Sequence, residues 1–279
     1  MIGSDSTGIQ TSVADRNGLP LRYQIAGRGN RALVFVHGWC CDHTFFQPQF
    51  DYFKTTHTVV ALDLPGFGES PLKDHTLDIA SYADDVAWLC GHLRIEKPII
   101  IGHSLGAAVA IEVCARHSFL PAAGIAVEPG PIDPPPTIRT LLVSFAKGLQ
   151  GPDAESVRAE FVRTMCFAPE DDHDRKNRIT ARMCSVPVAV AATSLQRFIE
   201  WDGASAMRAC RVPLLVLLAD IGPVHDATRL RMMNPAVRIG VTVGAGHFHQ
   251  LEVPEQVTPM IERFLRIVGS TGRGEPPKA

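Results

Sequence analysis

A serine between two glycines is the residue of this chain with the clearest chemical potential. It lies at the centre of Gly102-His103-Ser104-Leu105-Gly106, after the apolar run 98–101 and before a helix-forming run, 107–111. A strand that turns sharply into a helix lifts such a serine clear of the backbone, and small residues on either side let the chain pass. The pattern predicts that Ser104 is a nucleophile on a strained strand-to-helix turn.

Backbone N–H groups near this serine are expected to stabilise negative charge on a reacting carbonyl oxygen. The helix that begins after Ser104 would direct the N–H of Leu105 at that oxygen. A second donor is expected in the loop after an earlier strand, where His37-Gly38-Trp39 follows the apolar run 33–36. The sequence predicts an oxyanion hole formed by the N–H groups of Trp39 and Leu105, with the Trp39 side chain in packing contacts.

A general base for this serine is expected late in the chain. His247 follows the apolar stretch 237–243 on a loop that begins with Gly244-Ala245-Gly246. A histidine on a glycine-bounded loop beyond a strand end is well placed to take a proton from a serine. His249, two residues further on, is the alternative.

Taken together, these segments resemble the α/β-hydrolase superfamily over about residues 10–268. The motifs that carry the resemblance are His37-Gly38-Trp39, Asp63-Leu64-Pro65-Gly66-Phe67-Gly68-Glu69-Ser70, Gly102-His103-Ser104-Leu105-Gly106 and Gly246-His247. The resemblance implies an α/β-hydrolase fold, in which an eight-stranded, mostly parallel sheet carries helices on both faces and a helical cap. It also implies a triad in the order serine, acid, histidine, and no cofactor.

The acid of the triad departs from the pattern that the resemblance implies. Members of the superfamily usually place it after the strand that corresponds to 213–218, but Gly222 stands at that position and Asp220 lies two residues earlier. Glu128 follows the preceding strand, in a segment that looks like those of the zearalenone lactonases and the cofactor-free quinaldine dioxygenases. We predict Glu128 as the acid, with Asp220 as the alternative.

Strand-like and helix-like segments alternate along most of the chain, which favours a parallel sheet covered on both faces. About seventy residues after the proline-rich segment 129–136 show only helical patterns. We therefore predict a core of residues 1–130 and 212–268, a helical cap over 131–211 and a flexible tail over 269–279. Phe198 and Trp201 in the cap are predicted to bind an apolar part of the substrate.

Composition limits the partners of this chain. The net charge of −2 gives no electrostatic reason to bind nucleic acid or an anionic membrane. No apolar run reaches the length of a membrane span, and residues 1–6 lack the features of a signal peptide. The seven cysteines are scattered and show no metal-ligand spacing, so we expect no metal, free thiols and a cytoplasmic location. A small-molecule substrate is the expected partner.

The residues predict a serine hydrolase that cleaves a carboxylic ester or a lactone through an acyl-enzyme on Ser104. One alternative is a cofactor-free dioxygenase, in which the histidine and the acid deprotonate a heteroaromatic substrate and the serine only donates a hydrogen bond. Another is a hydrolase-like signalling receptor with slow turnover. Haloalkane dehalogenation is disfavoured, because it requires a carboxylate at the position of Ser104.

Overall fold

A computed structural model describes residues 8–29, 31–221 and 226–271. Its strands are β1 (Gln10–Arg16), β2 (Leu19–Ala26), β3 (Ala32–Val36), β4 (Thr58–Leu62), β5 (Ile99–Ser104), β6 (Ala123–Pro129), β7 (Leu214–Ala219) and β8 (Arg238–Thr242). Its α-helices are α1 (Gln47–Phe53), α2 (Ile79–His92), α3 (Leu105–Arg116), α4 (Pro136–Gly148), α5 (Ala154–Met165), α6 (His173–Cys184), α7 (Val188–Glu200), α8 (Gly203–Ala209), α9 (Ala227–Met233), α10 (His249–Glu252) and α11 (Pro254–Thr271). Gly222, which occupies the usual acid position, lies outside the described residues.

The strands form one eight-stranded sheet in the order β1-β2-β4-β3-β5-β6-β7-β8. β1 and β2 form an antiparallel hairpin, and the strands from β4 to β8 are parallel to one another. Asn17 and Gly18 close the hairpin with φ of 55° and 86°, as a tight turn between twisted strands requires. The predicted fold, eight mostly parallel strands with covering helices, is confirmed.

Side chains of the central strands pack on both faces of the sheet because the apolar runs leave no polar face. In β3, Leu33 and Phe35 pack towards Phe264 of α11, whereas Val34 and Val36 pack towards the face that carries α2 and α3. Buried parallel strands have this continuous apolar composition. Because β3, β5, β6 and β7 are parallel, their carboxyl ends meet at one edge of the sheet.

Five helices, α4 to α8, lie between β6 and β7 in the chain. Polar contacts fasten them to the core, and two of these involve the segment after β3. Trp39 Nε1 donates to the carbonyl oxygen of Ala191 at 2.9 Å, and Arg182 forms an ion pair with Asp42 at 2.5 Å. The first four of these helices are called the cap below, since α8 packs against α3 of the core through Met207. The bounds 131–211 stay a prediction.

At the carboxyl end of the chain, α11 continues to Thr271, beyond Gly269, the first residue of the predicted flexible tail. Residues 272–279 of that predicted tail lie outside the described part of the chain. Within the described part, no helix is both long and apolar enough to cross a membrane.

Candidate active site

Ser104 lies at the junction of β5 and α3 in a conformation that few non-glycine residues adopt. Its φ and ψ are 54° and −117°, and backbone strain of this kind costs on the order of 1–3 kcal/mol. The two flanking glycines are required by space. A Cβ on Gly102 would lie 1.9 Å from the carbonyl oxygen of Gly106, and one on Gly106 would lie 2.2 Å from that of Val36. The sharp turn predicted around Ser104 is therefore present.

The loop after β3 lies directly against this serine. A Cβ on Gly38 would lie 2.8 Å from Nδ1 of His103 and 3.2 Å from the Cβ of Ser104, so glycine lets the two segments approach closely. His37 is buried; its Nδ1 donates to the carbonyl oxygen of Gly38 at 2.8 Å, and its Nε2 accepts the N–H of Leu64 at 3.0 Å. Burial lowers the pKa of His37, which keeps this imidazole neutral.

The orientation of the Trp39 N–H follows from these contacts. This N–H belongs to the same trans peptide unit as the Gly38 carbonyl, so the two point in opposite directions. The carbonyl accepts hydrogen bonds from His37 and from the N–H of Cys41, the latter at 3.2 Å. The Trp39 N–H is thereby held facing away from both donors. The N–H of Leu105 belongs to the first turn of α3, directly after Ser104.

His247 shares one cavity with Ser104. The cavity has a volume of about 130 Å³, and the strained serine, His103 and His247 lie in its wall. The rings of His103 and His247 have centroids 4.8 Å apart. His249 is instead fully buried, and its Nδ1 is 2.9 Å from the hydroxyl of Thr242. Of the two predicted histidines, the structure therefore brings His247 to the serine's cavity.

Glu128 occupies a β-bulge beside Ser104. In the pairing of β5 with β6, His103 is opposite Val127 but Ser104 is opposite Pro129, so Glu128 is the additional residue. Its φ is 37°, which is strained for a residue with a side chain. Bulges re-aim side chains next to active sites. The buried carboxylate accepts the N–H of Ala219, at the end of β7, at 2.6 Å.

The environment of Glu128 favours its protonated form. Burial raises the pKa of the Glu128 carboxyl to about 8; the Ala219 N–H opposes this rise, and the negative charge of Glu252 adds to it. A strained, buried carboxyl group with a perturbed pKa at a strand end is the kind of residue that active sites contain.

Asp220, the alternative acid, is exposed and bound to the backbone of the His247 loop. Its Oδ1 accepts the N–H groups of Gly244 and Ala245 at 2.8 and 3.3 Å. These two bonds give Asp220 a role in holding the loop. Asp220 and Glu128 thus occupy adjacent strand ends with different environments.

Apart from the serine and the two histidines, the described lining of the cavity is apolar and contains no Asp, Glu, Lys or Arg. The cap contributes Leu141, Phe145, Phe161, Met165, Leu195 and Phe198 to this lining. Phe198 lies in this lining, and its ring packs so closely on Gly130 that a Cβ there would lie 2.5 Å from the ring. Trp201 is not in the lining; its indole N–H donates to Glu112 at 2.8 Å and its ring stacks on Phe198.

One group of side chains in the described residues has the donor types of a metal site, namely Asp42, His43 and Asp63. Its donors already have protein partners. His43 bonds to Asp63 Oδ1 through both its backbone N–H and its Nδ1, at 2.7 and 2.9 Å, and Asp42 is paired with Arg182. We assign no metal to this group.

Comparison with known proteins gives the family. The profile described as "Alpha/beta hydrolase family" matches residues 33–259, which is most of the chain. The chain belongs to the α/β-hydrolase family. That range contains the turn at Ser104, the bulge at Glu128 and the loop of His247, so the resemblance seen in the motifs is confirmed.

The relatives of this α/β hydrolase have several activities. The biotin biosynthesis bifunctional protein BioHC of Cellvibrio japonicus is 27% identical over 246 residues, 85% of this chain and 48% of that protein, so the chain spans about half of this curated relative. A thermophilic esterase from Thermogutta terrifontis superposes with a TM-score of 0.80 at 24% identity, covering 93% of this chain and 99% of the esterase. The enol-lactonase from Burkholderia xenovorans LB400 superposes with a TM-score of 0.78 at 20% identity, covering 91% of this chain and 100% of the enol-lactonase. At these identities the two structures show the fold.

Proposed function

We propose that this α/β hydrolase cleaves a carboxylic ester or a lactone, with Ser104 as nucleophile, His247 as general base and Glu128 as the acid that orients His247. The observation that carries the proposal is the strained Ser104, which lies against Gly38 and faces an apolar cavity that also contains His247. A solved esterase and a solved enol-lactonase share the fold.

In the proposed reaction, Ser104 Oγ attacks the carbonyl carbon of the substrate while His247 takes the hydroxyl proton. The N–H groups of Trp39 and Leu105 stabilise the oxyanion that forms. Collapse of this intermediate breaks the bond to the leaving oxygen, which takes the proton from His247 and leaves an acyl-enzyme. Water then attacks the acyl carbon, gives a proton to His247, and the acid is released as Ser104 regains its proton.

The proposed substrate is uncharged and apolar in the part that the cap encloses. Ile138, Leu141 and Phe145 are spaced to lie along one face of α4, over roughly 10 Å of helix, and all three line the cavity. Leu141 and Met165 are also 42% and 53% exposed, so this wall extends from the serine to solvent. A charged substrate group would lose its hydration here without a partner. We propose that Phe198 binds the same apolar group.

An ester pair of matched length tests this function. We expect 4-nitrophenyl hexanoate to be hydrolysed with a kcat/KM at least ~100-fold above that of the analogue whose acyl chain ends in a carboxylate, because burying an unpaired charge costs several kcal/mol. The measurement is the initial rate of 4-nitrophenolate release, and dioxygen uptake is recorded in a parallel sample to which a heteroaromatic compound with an acidic proton is added. Dioxygen consumption in that sample without ester hydrolysis would instead support the cofactor-free dioxygenase, and equal rates for both esters would contradict the apolar substrate.

A pH profile tests the proposed roles of Glu128 and His247. The histidine must be neutral to act as base, which alone would place the rise in kcat/KM near pH ~6.5. The carboxylate must also be ionised, and burial raises the pKa of Glu128 to about 8. Lowering the pH through this value protonates Glu128, so we expect kcat/KM to rise through about pH 8 and to level about one pH unit above it. Because Glu128 and His247 are proposed to interact, the pH profile reports the titration of the coupled pair. Maximal kcat/KM already at pH 6 would contradict the role of Glu128.

The compartment is proposed to be the cytoplasm. All seven cysteines are free thiols in the structure, and six of them are buried. Free thiols persist most readily in a reducing compartment, which supports this location.

A further inference from the structure

In the loop that contains His247, a single carboxylate accepts hydrogen bonds from the backbone N–H groups of the residues on either side of the histidine. Glu252, the last residue of α10, accepts the N–H of Gly246 through Oε2 at 2.7 Å and the N–H of Phe248 through Oε1 at 3.2 Å. Hydrogen bonds to an ionised acceptor are stronger than neutral ones. One side chain therefore fixes the backbone immediately before and immediately after His247.

The backbone groups of His247 itself are bound by two other parts of the molecule. Its N–H donates to the carbonyl oxygen of Cys166 at 3.1 Å, and its carbonyl oxygen accepts from Nε2 of His103 at 2.8 Å. Cys166 follows α5 in the cap, whereas His103 precedes Ser104 in the core. The peptide groups that determine the position of the histidine are thus held from three directions, by α10, the cap and β5.

The cap segment 166–168 lies against this loop without intervening space. A Cβ on Gly246 would lie 2.7 Å from the nitrogen of Ala168 and 3.0 Å from the carbonyl carbon of Phe167. Arg175 of α6 donates to the carbonyl oxygen of Leu251 at 3.0 Å, beside Glu252. Cys166 also lines the substrate cavity. The same short segment therefore contacts both the space for substrate and the backbone of the proposed base.

We propose that Glu252 is a positioning residue for His247 and that cap segment 166–168 completes the same support, so that contacts of the substrate with the cap act on the position of the base. This inference rests on the proposed function. Glu252 acts through the loop backbone and not on the reacting atoms. A displacement of about 1 Å in a reacting group can lower the rate by roughly 100-fold, so a small shift of this loop is sufficient.

Glu252→Gln tests the carboxylate. The amide offers one acceptor oxygen, so one of the two N–H groups meets an NH₂ group in place of an oxygen. We expect kcat for 4-nitrophenyl hexanoate, per active site titrated to completion with a phosphonate, to fall by about 10- to 100-fold, with KM within about twofold of wild type. Glu255→Gln is the matched control: it removes the same charge from an exposed position three residues further on and should change neither constant.

Gly246→Ala tests the cap contact separately and covers the case in which Glu252→Gln does not fold. The added methyl displaces segment 166–168, so kcat should fall while the fraction of titratable sites stays at the wild-type value. A wild-type kcat in both variants would overturn the inference, as would a loss of titratable sites that accounts for the whole fall in activity. Wild-type protein that hydrolyses no ester would contradict the proposed function instead.

Discussion

Ser104→Ala is expected to lower kcat for 4-nitrophenyl hexanoate by roughly 10³- to 10⁶-fold while leaving the fold and the cavity unchanged. The reason is that the substitution removes the proposed nucleophile, and with it the acyl-enzyme, but retains the N–H groups of Trp39 and Leu105. A residual rate above that of water is expected, because an oxyanion hole and substrate binding still contribute when a triad residue is lost.

The control for this variant is Ser185→Ala, which removes an exposed hydroxyl in the cap whose hydrogen bond is local, to the carbonyl oxygen of Arg182. It should retain the wild-type kcat. Thermal unfolding of both variants, followed by circular dichroism, checks that the fold persists. Normal turnover by the Ser104→Ala variant would contradict the proposed acyl-enzyme.

The second large effect is expected at Glu128. Glu128→Gln keeps an acceptor for the Ala219 N–H but cannot carry the charge that stabilises a protonated His247, so kcat should fall by about 10⁴-fold, as loss of the triad acid does in a serine protease. Asp220→Asn keeps an acceptor for the N–H groups of Gly244 and Ala245, so it should lower kcat by less than about tenfold. Comparison of kcat for the two variants in steady-state assays at pH 8 shows which carboxylate acts as the acid. The reverse ranking would assign the acid to Asp220.

The same Glu128→Gln variant should be more stable than wild type above pH 8. The folded-state pKa of Glu128, about 8, exceeds its ordinary value of 4.5, so between these values the unfolded chain releases a proton that the folded chain retains. Wild-type stability therefore falls as pH rises across this range and is lowest above it, by roughly 3–6 kcal/mol from this group. Glutamine has no such titration. Urea unfolding at pH 5 and pH 9 measures the difference, and equal stabilities at pH 9 would contradict a buried, costly carboxylate.

Local sequence patterns were sufficient for the elements that determine their own geometry. The apolar run before Gly102 and the small residues around Ser104 specify a buried strand and a sharp turn, and both are present because they depend on neighbours in the chain. The individual strands follow for the same reason, since each apolar run is bounded by turn residues, whereas the eight-stranded sheet is what the family resemblance implies. The glycine-bounded loop favours His247 over His249 as the general base, and of these two histidines the structure places only His247 at the cavity.

Features that depend on pairing between distant segments cannot be predicted from local sequence patterns. The bulge at Glu128 exists only in the register of β5 with β6, so the sequence indicated a strand end without its strained geometry. Trp201 was expected at the cavity because it is aromatic and close to Phe198, but its indole has a hydrogen-bond partner in Glu112 on α3. The contacts of Glu252 with the His247 loop also depend on how the chain folds back, and the only sequence signal for them is a carboxylate five residues after a loop histidine.

The central claim, a covalent intermediate on Ser104, is tested most directly by a fluorophosphonate probe and peptide mass mapping. The probe forms a tetrahedral adduct with an activated serine in an oxyanion hole. We predict one adduct per chain, on the peptide that contains Ser104, and none on Ser104→Ala. An adduct on another residue, or no adduct on wild-type protein that hydrolyses esters, would contradict the account.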